Sequence, residues 1–147
     1  MLISPLAALA LLASRLPRFT DYPVKNVYRG RAAPLKPQFR SLGEKSNVSF
    51  YANHRADFAG HWIVAVGSCG AGCVTLHLID AKTGDVIGLK PTISAFDGEP
   101  VTCRLRSRML EVRGELDEKD GTFGVHYYVL AHRKLVHIGW QRKPHPR

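Results

Sequence analysis

The chain has 147 residues, 45% of them apolar and 9% aromatic. That is too hydrophobic for a disordered polypeptide, and long enough to bury one core without metals or many disulfides. Lys and Arg outnumber Asp and Glu by 21 to 12 for a net charge of +9, which favours anionic partners or surfaces. The excess is spread along the chain and no recognised motif accompanies it, so specific nucleic-acid recognition is not expected.

The first 14 residues carry no charged side chain and read as a signal-like segment without a basic n-region. They are too short to span a bilayer as a helix. Export to the periplasm or beyond is the expectation, and three cysteines suit an oxidising compartment: one close pair, and Cys103 left over. Residues 15–57 hold Pro17, Pro23, Pro34 and Pro37 and read as an extended arm and linking segment. The arm is anchored by Phe19, Tyr22, Val24, Val27 and Tyr28, and a short helix is placed within Phe50 to Asp57.

The β domain is expected over 58–140, followed by a basic, proline-containing tail over 141–147. Its centre is Ser68-Cys69-Gly70-Ala71-Gly72-Cys73, between two apolar runs. In an extended strand, Cys69 and Cys73 would lie about 13 Å apart, whereas a disulfide needs Cα atoms closer than about 7 Å. A bonded pair therefore requires a reversal, and Gly70-Ala71-Gly72 supplies a three-residue hairpin loop. With Cys69 opposite Cys73, Val66 faces Leu76, Val64 faces Leu78 and Trp62 faces Asp80 on an apolar face. Gly67 with Thr75, Ala65 with His77 and Ile63 with Ile79 form the mixed face. Asp80 to Asp85 makes a second turn, and Val86 to Leu89 returns as a third strand that Pro91 ends.

The second half repeats this plan. Val101, Cys103 and Leu105 alternate with Thr102, Arg104 and Arg106, and the parity of Leu110 and Val112 requires a turn or bulge near Arg106-Ser107-Arg108. Glu115 to Gly121 is a charged turn. Thr122 to Leu130 and Leu135 to Trp140 form the last hairpin, pairing Leu130 with Leu135, Val129 with Val136, Tyr127 with Ile138 and Val125 with Trp140. His126, Tyr128 and His137 fall on the opposite face. Two successive antiparallel meanders define an all-β fold, either propeller-blade-like or a small sandwich.

Several segments resemble a family of small, largely uncharacterised exported bacterial proteins. The matching pieces are Asp21-Tyr22-Pro23-Val24-Lys25 with Tyr28-Arg29-Gly30, Phe58-Ala59-Gly60-His61, Cys69-Gly70-Ala71-Gly72-Cys73, Ile79-Asp80-Ala81-Lys82-Thr83-Gly84, Arg104 to Leu110, and Tyr127-Tyr128-Val129. Gly67-Ser68 stand where that pattern usually has Trp-Gly, and Arg106 where it commonly has Asp. The resemblance implies a β-rich exported fold and gives no activity to carry over.

No catalytic or cofactor motif stands out. A redox pair would be Cys-x-x-Cys at a helix start. His77 lies about 13 Å along the strand from Cys73, too far to share zinc with Cys69 and Cys73, so no metal and no cofactor are expected. Gly67-Ser68-Cys69-Gly70 is not a nucleophile elbow. The candidate recognition residues are Arg104, Arg106 and Arg108, able to contact an anion or acidic protein, with His126, Tyr128 and His137 as a polar-aromatic patch. Cys103 reads as a buried thiol. The favoured function is a non-enzymatic module of the bacterial envelope that binds another protein, with an inhibitor or immunity protein of an envelope enzyme as its concrete form. Alternatives are a hydrolase using Ser68 or Cys69 with His61 or His77, and a binder of anionic polymer. The sequence leaves the oligomeric state open.

Overall fold

In the computed structural model, residues 15–36 and 39–146 are described. The apolar segment 1–14 lies outside them, as do Pro37, Gln38 and Arg147. The described chain is all-β apart from one short helix and a 3-10 turn at Phe19–Asp21. No helix among the described residues is long and apolar enough to cross a membrane.

Strands β1 (Trp62–Gly70) and β2 (Cys73–Asp80) form the first hairpin. Its pairs run from Trp62 with Asp80 through Val64 with Leu78 and Val66 with Leu76 to Gly67 with Thr75, the register read from sequence. The tip differs: Gly70 rather than Cys69 pairs with Cys73, leaving Cys69 in a bulge and only Ala71-Gly72 as the turn. The bulge still brings the Cys69 and Cys73 Cα atoms to 5.1 Å, and the two sulfurs are bonded.

Strand β3 spans Val86–Ser94, well past the stop expected at Pro91. Leu89 pairs with Leu76 and Ile93 with Val74, so Lys90, Pro91 and Thr92 together oppose Thr75. Proline has no N–H to give a ladder, and a bulge is where a strand can carry one. Continuing to Ser94 lets Ile93 pair with Leu116 and Ser94 with Glu115 of β5 (Met109–Leu116). Those two pairs are the hinge between the meanders.

The second meander adds β4 (Val101–Cys103), β6 (Gly124–Ala131) and β7 (Lys134–Arg142). The sheet order is β1-β2-β3-β5-β6-β7, with β4 on β5. The expected turn falls at Leu105-Arg106, just before β5. In the last hairpin Leu130–Leu135 and Val129–Val136 pair as read from sequence, but a bulge follows Tyr128. Tyr127 therefore meets Gly139 rather than Ile138, and Trp140 meets His126 rather than Val125. One extra residue on β7 moves Trp140 to the other face of the sheet, because side chains alternate with period 2.

The two halves bend over a shared core. Trp62, Val64, Leu76, Leu78 and Ile93 from the first pack with Leu110, Val112, Tyr128 and Leu130 from the second, and Phe58 closes one side. The face read as mixed is also covered: Ile63, Ala65, Ile79 and Ala81 pack beneath Val48 of helix α1 (Leu42–Ser49), with Tyr28 and Leu35 of the arm against them. The helix lies N-terminal to the predicted Phe50–Asp57 stretch. Its signal is Ser41-Leu42-Gly43-Glu44: the Ser41 hydroxyl accepts from Glu44 N–H at 3.1 Å, and the Glu44 carboxylate accepts from Arg40 N–H. This is close to a capping box, whose Ser and Glu satisfy amides that have no partner inside the helix.

The arm is extended as expected. Phe19 and Tyr22 pack on Met109, Val125, Tyr127 and Val129 beneath the second meander. The arm then crosses to the first, its N–H groups at Tyr28, Ala33 and Lys36 donating to the carbonyls of Gly60, Ala81 and Gly84. Backbone this close needs glycine. Gly60 and Gly84 both have positive φ, and a Cβ would collide with the Asn26 carbonyl oxygen at one and the Pro34 carbonyl oxygen at the other.

Candidate functional site

The turn between β4 and β5 and the start of the arm build one site together. Ser107 Oγ donates to the Phe19 carbonyl at 2.7 Å, Val24 N–H donates to the Arg106 carbonyl at 3.0 Å, and Arg108 N–H donates to the Tyr22 carbonyl at 2.8 Å. Pro23 forms a single bridge with Ser107. Held this way, Phe19, Pro23 and Val24 line a groove of about 450 Å³ with Arg104 and Arg106. The Arg104 guanidinium sits 5.2 Å from the Phe19 ring centroid, a cation–π contact that also orients it. Arg104 and Arg106 are exposed, and among the described residues neither forms an ion pair. An apolar floor beside two uncompensated guanidiniums suits an acidic ligand with an apolar side chain.

The other candidate residues do not join this groove. Arg108 is exposed but does not line it, and its Nη1 donates to the Leu130 carbonyl at 3.4 Å. His126 and Tyr128 are 2% and 6% exposed, so they are not the outer patch read from sequence; only His137 of the three is exposed. Their face of β6 turns toward the core shared by the two meanders. The Gly70 tip lies at the far end of β1 from the groove, whose turn is tied to Gly60 by a Gly60 N–H to Leu105 carbonyl bond of 2.7 Å. At about 3.3 Å per residue those ends are roughly 30 Å apart, too far for one small contact.

His126, Tyr128 and His137 do form a connected cluster, with Trp140 added by the bulge. The His126 ring stacks on Trp140 at 4.9 Å and 5°. His126 Nε2 lies 2.6 Å from the Thr122 carbonyl, which only accepts, so Nε2 carries the proton and Nδ1 accepts from His137 Nε2–H at 3.1 Å. Burial lowers the pKa of both histidines, with mutual repulsion adding to the effect at His126. A folded-state pKa below the ordinary value of about 6.5 means that the neutral ring is favoured by folding. Its stabilisation is present above that value and is lost as pH falls through the folded pKa. Urea midpoints measured from pH 8 down to pH 5 should therefore decline, and His126→Phe should flatten the decline; an unchanged slope would exclude this cluster as its source.

Neither proposed nucleophile meets a histidine. Cys69 is in the disulfide, and among the described residues the Ser68 hydroxyl bonds only within its own turn, to Gly70. His61 Nδ1 pairs with Asp80 at 2.9 Å and His77 Nε2 with Glu44 at 3.1 Å. His77 is opposite Ala65 and Ser68 opposite Val74, an odd offset along both strands that places them on different faces. Oxidised, Cys69 and Cys73 have no thiolate to offer a metal, and no group of three or more His, Cys, Asp or Glu side chains converges among the described residues. Cys103 is half-buried rather than fully buried. Its thiol lies 3.6 Å from the Asp57 carbonyl oxygen, and burial pushes its pKa up to about 12. Thiolate is the reactive form, and these surroundings disfavour it at Cys103.

Sequence reading missed Phe19, Pro23 and Val24 as parts of the site, since about eighty residues separate them from the arginines they flank and no local pattern links the two. No protein-family model, curated protein or solved structure matches the chain.

Proposed function

We propose that this chain is a non-enzymatic binding module of the bacterial envelope that docks on an acidic segment of another protein. The observation that carries it is the groove: exposed Arg104 and Arg106, without acidic partners among the described residues, beside the apolar surface of Phe19, Pro23 and Val24. Binding energy at protein interfaces concentrates where an anchor side chain fills a pocket and arginines meet complementary charge. A carboxylate gains bidentate hydrogen bonds from either guanidinium. The Cys69–Cys73 bridge fits an oxidising compartment. An inhibitor or immunity protein of an envelope enzyme is the concrete form of this reading.

The test is affinity capture from envelope extracts, comparing the native chain with an Arg104→Gln/Arg106→Gln double variant and with Lys82→Gln, an exposed site on another turn. An acidic protein should be retained by the native chain and by Lys82→Gln. The double variant should bind it at least about 100-fold more weakly, since hydrogen bonds to charged groups contribute about 1.5–3 kcal/mol each and two guanidiniums are lost. No retained protein, or equal retention by the double variant, would refute the proposal.

A further inference from the structure

A second basic concavity lies further along the arm. Arg29 and Arg31 from the arm and Asn53, His54 and Arg55 from the loop between α1 and β1 line a pocket of about 520 Å³. Both walls are fixed. Tyr28 donates its N–H to the Gly60 carbonyl at 2.7 Å and its hydroxyl to the Arg31 carbonyl at 2.8 Å. Its ring lies over Gly30 so closely that a Cβ there would collide with it, which closes the Arg29–Arg31 turn onto the packed tyrosine. On the other wall, His54 N–H donates to the Tyr51 carbonyl at 3.0 Å, and the His54 ring packs 5.0 Å from the Tyr51 ring.

Among the described residues, none of these three arginines has a carboxylate partner. Asp57, two residues from Arg55, turns its carboxylate to Val64 N–H at 3.0 Å instead. Three guanidiniums around one concavity repel one another until an anion enters. The volume falls in the range of sites that enclose small molecules, about 300–1,000 Å³. The lining, however, is charged where such sites are mostly apolar. Guanidinium forks match phosphate oxygens bidentately, and three of them match more charge than one phosphate carries.

We propose that this pocket binds a diphosphate group, Arg29, Arg31 and Arg55 clamping its oxygens and Asn53 and His54 supplying further donors. It is a site separate from the groove at Arg104 and Arg106, and neither depends on the other. The group could belong to a soluble compound or to a lipid headgroup.

Calorimetric titration of the full chain with inorganic pyrophosphate tests the pocket, and flotation with phosphatidylcholine vesicles, plain or doped with a long-chain isoprenyl diphosphate, separates the sources. Arg31→Gln and Arg55→Gln alter exposed side chains and should each weaken pyrophosphate binding about tenfold, while Arg104→Gln leaves it unchanged. Retention on doped vesicles alone, lost in the same two variants, assigns a lipid headgroup; pyrophosphate binding without vesicle retention assigns a soluble ligand. Absence of both, or an equal loss in Arg104→Gln, overturns the site, since the charge would then act as a diffuse basic surface. Capture of an acidic protein through Arg104 and Arg106 would survive that result.

Discussion

Phe58→Ala is expected to destabilise the fold by about 3–5 kcal/mol, the range for removing a buried aromatic ring. Domains of this kind hold about 5–15 kcal/mol in total, so the variant should sit close to unfolding at 25 °C. Phe58 is fully buried and heads the group of largest enclosed side chains. It packs in the core that both meanders share. Its backbone also starts the first strand: Phe58 N–H donates to the Trp62 carbonyl at 3.0 Å and Trp62 N–H returns the bond at 2.9 Å. Loss of the ring therefore loosens the entry to β1 as well as the core. Urea denaturation read by tryptophan fluorescence measures the change, since Trp62 lies beside the cavity. A loss below about 1 kcal/mol, the usual effect of an average substitution, would mean that the ring is not enclosed by both halves. Phe58→Leu should recover most of the difference.

Replacing both cysteines of the bridge, Cys69→Ser with Cys73→Ser, should cost about 2 kcal/mol. The loop they close is short, and loop-closure entropy grows with the logarithm of its length. For a domain of about 150 residues this lowers Tm by roughly 4–8 °C. The variant should nonetheless fold to the same sheet. The bridged tip is exposed, and the pairs from Trp62 with Asp80 to Gly67 with Thr75 bury Trp62, Val64, Leu76 and Leu78 on one face whether or not the sulfurs are joined. Calorimetry gives the Tm, and amide exchange of Val64 and Leu78 reports the register. Full loss of structure would show that the bridge, not apolar burial, holds the hairpin.

These expectations separate two kinds of information. The hairpin register was legible because strict alternation admits one pairing that gathers Val64, Val66, Leu76 and Leu78 on one face; a slip by one residue would put the two valines and the two leucines on opposite faces. The break before β5 was legible for the same reason, from the parity of Leu110 and Val112. Helix α1 was misplaced because its burial rests on Val48 alone, so apolar periodicity was weak and only Ser41 and Glu44 marked its start. The bulge on β7 left no local trace. Ile138 and Trp140 fit either register by hydrophobicity, and it is the stacking of Trp140 on His126 that the extra residue permits.

What the chain determined by itself is the all-β class, the alternation that sorts the first hairpin and the close pair of cysteines, since each depends on residues within a few positions of one another. Tertiary structure alone decided that His126 and Tyr128 turn inward, that Arg104 and Arg106 border an apolar groove, and that Arg29, Arg31 and Arg55 share a pocket. The first depends on how the two meanders pack on each other, and the other two on where a proline-rich arm comes to lie. An arm with few local hydrogen bonds takes its path from the glycines and carbonyls of distant strands, and so from contacts that no short stretch of sequence contains.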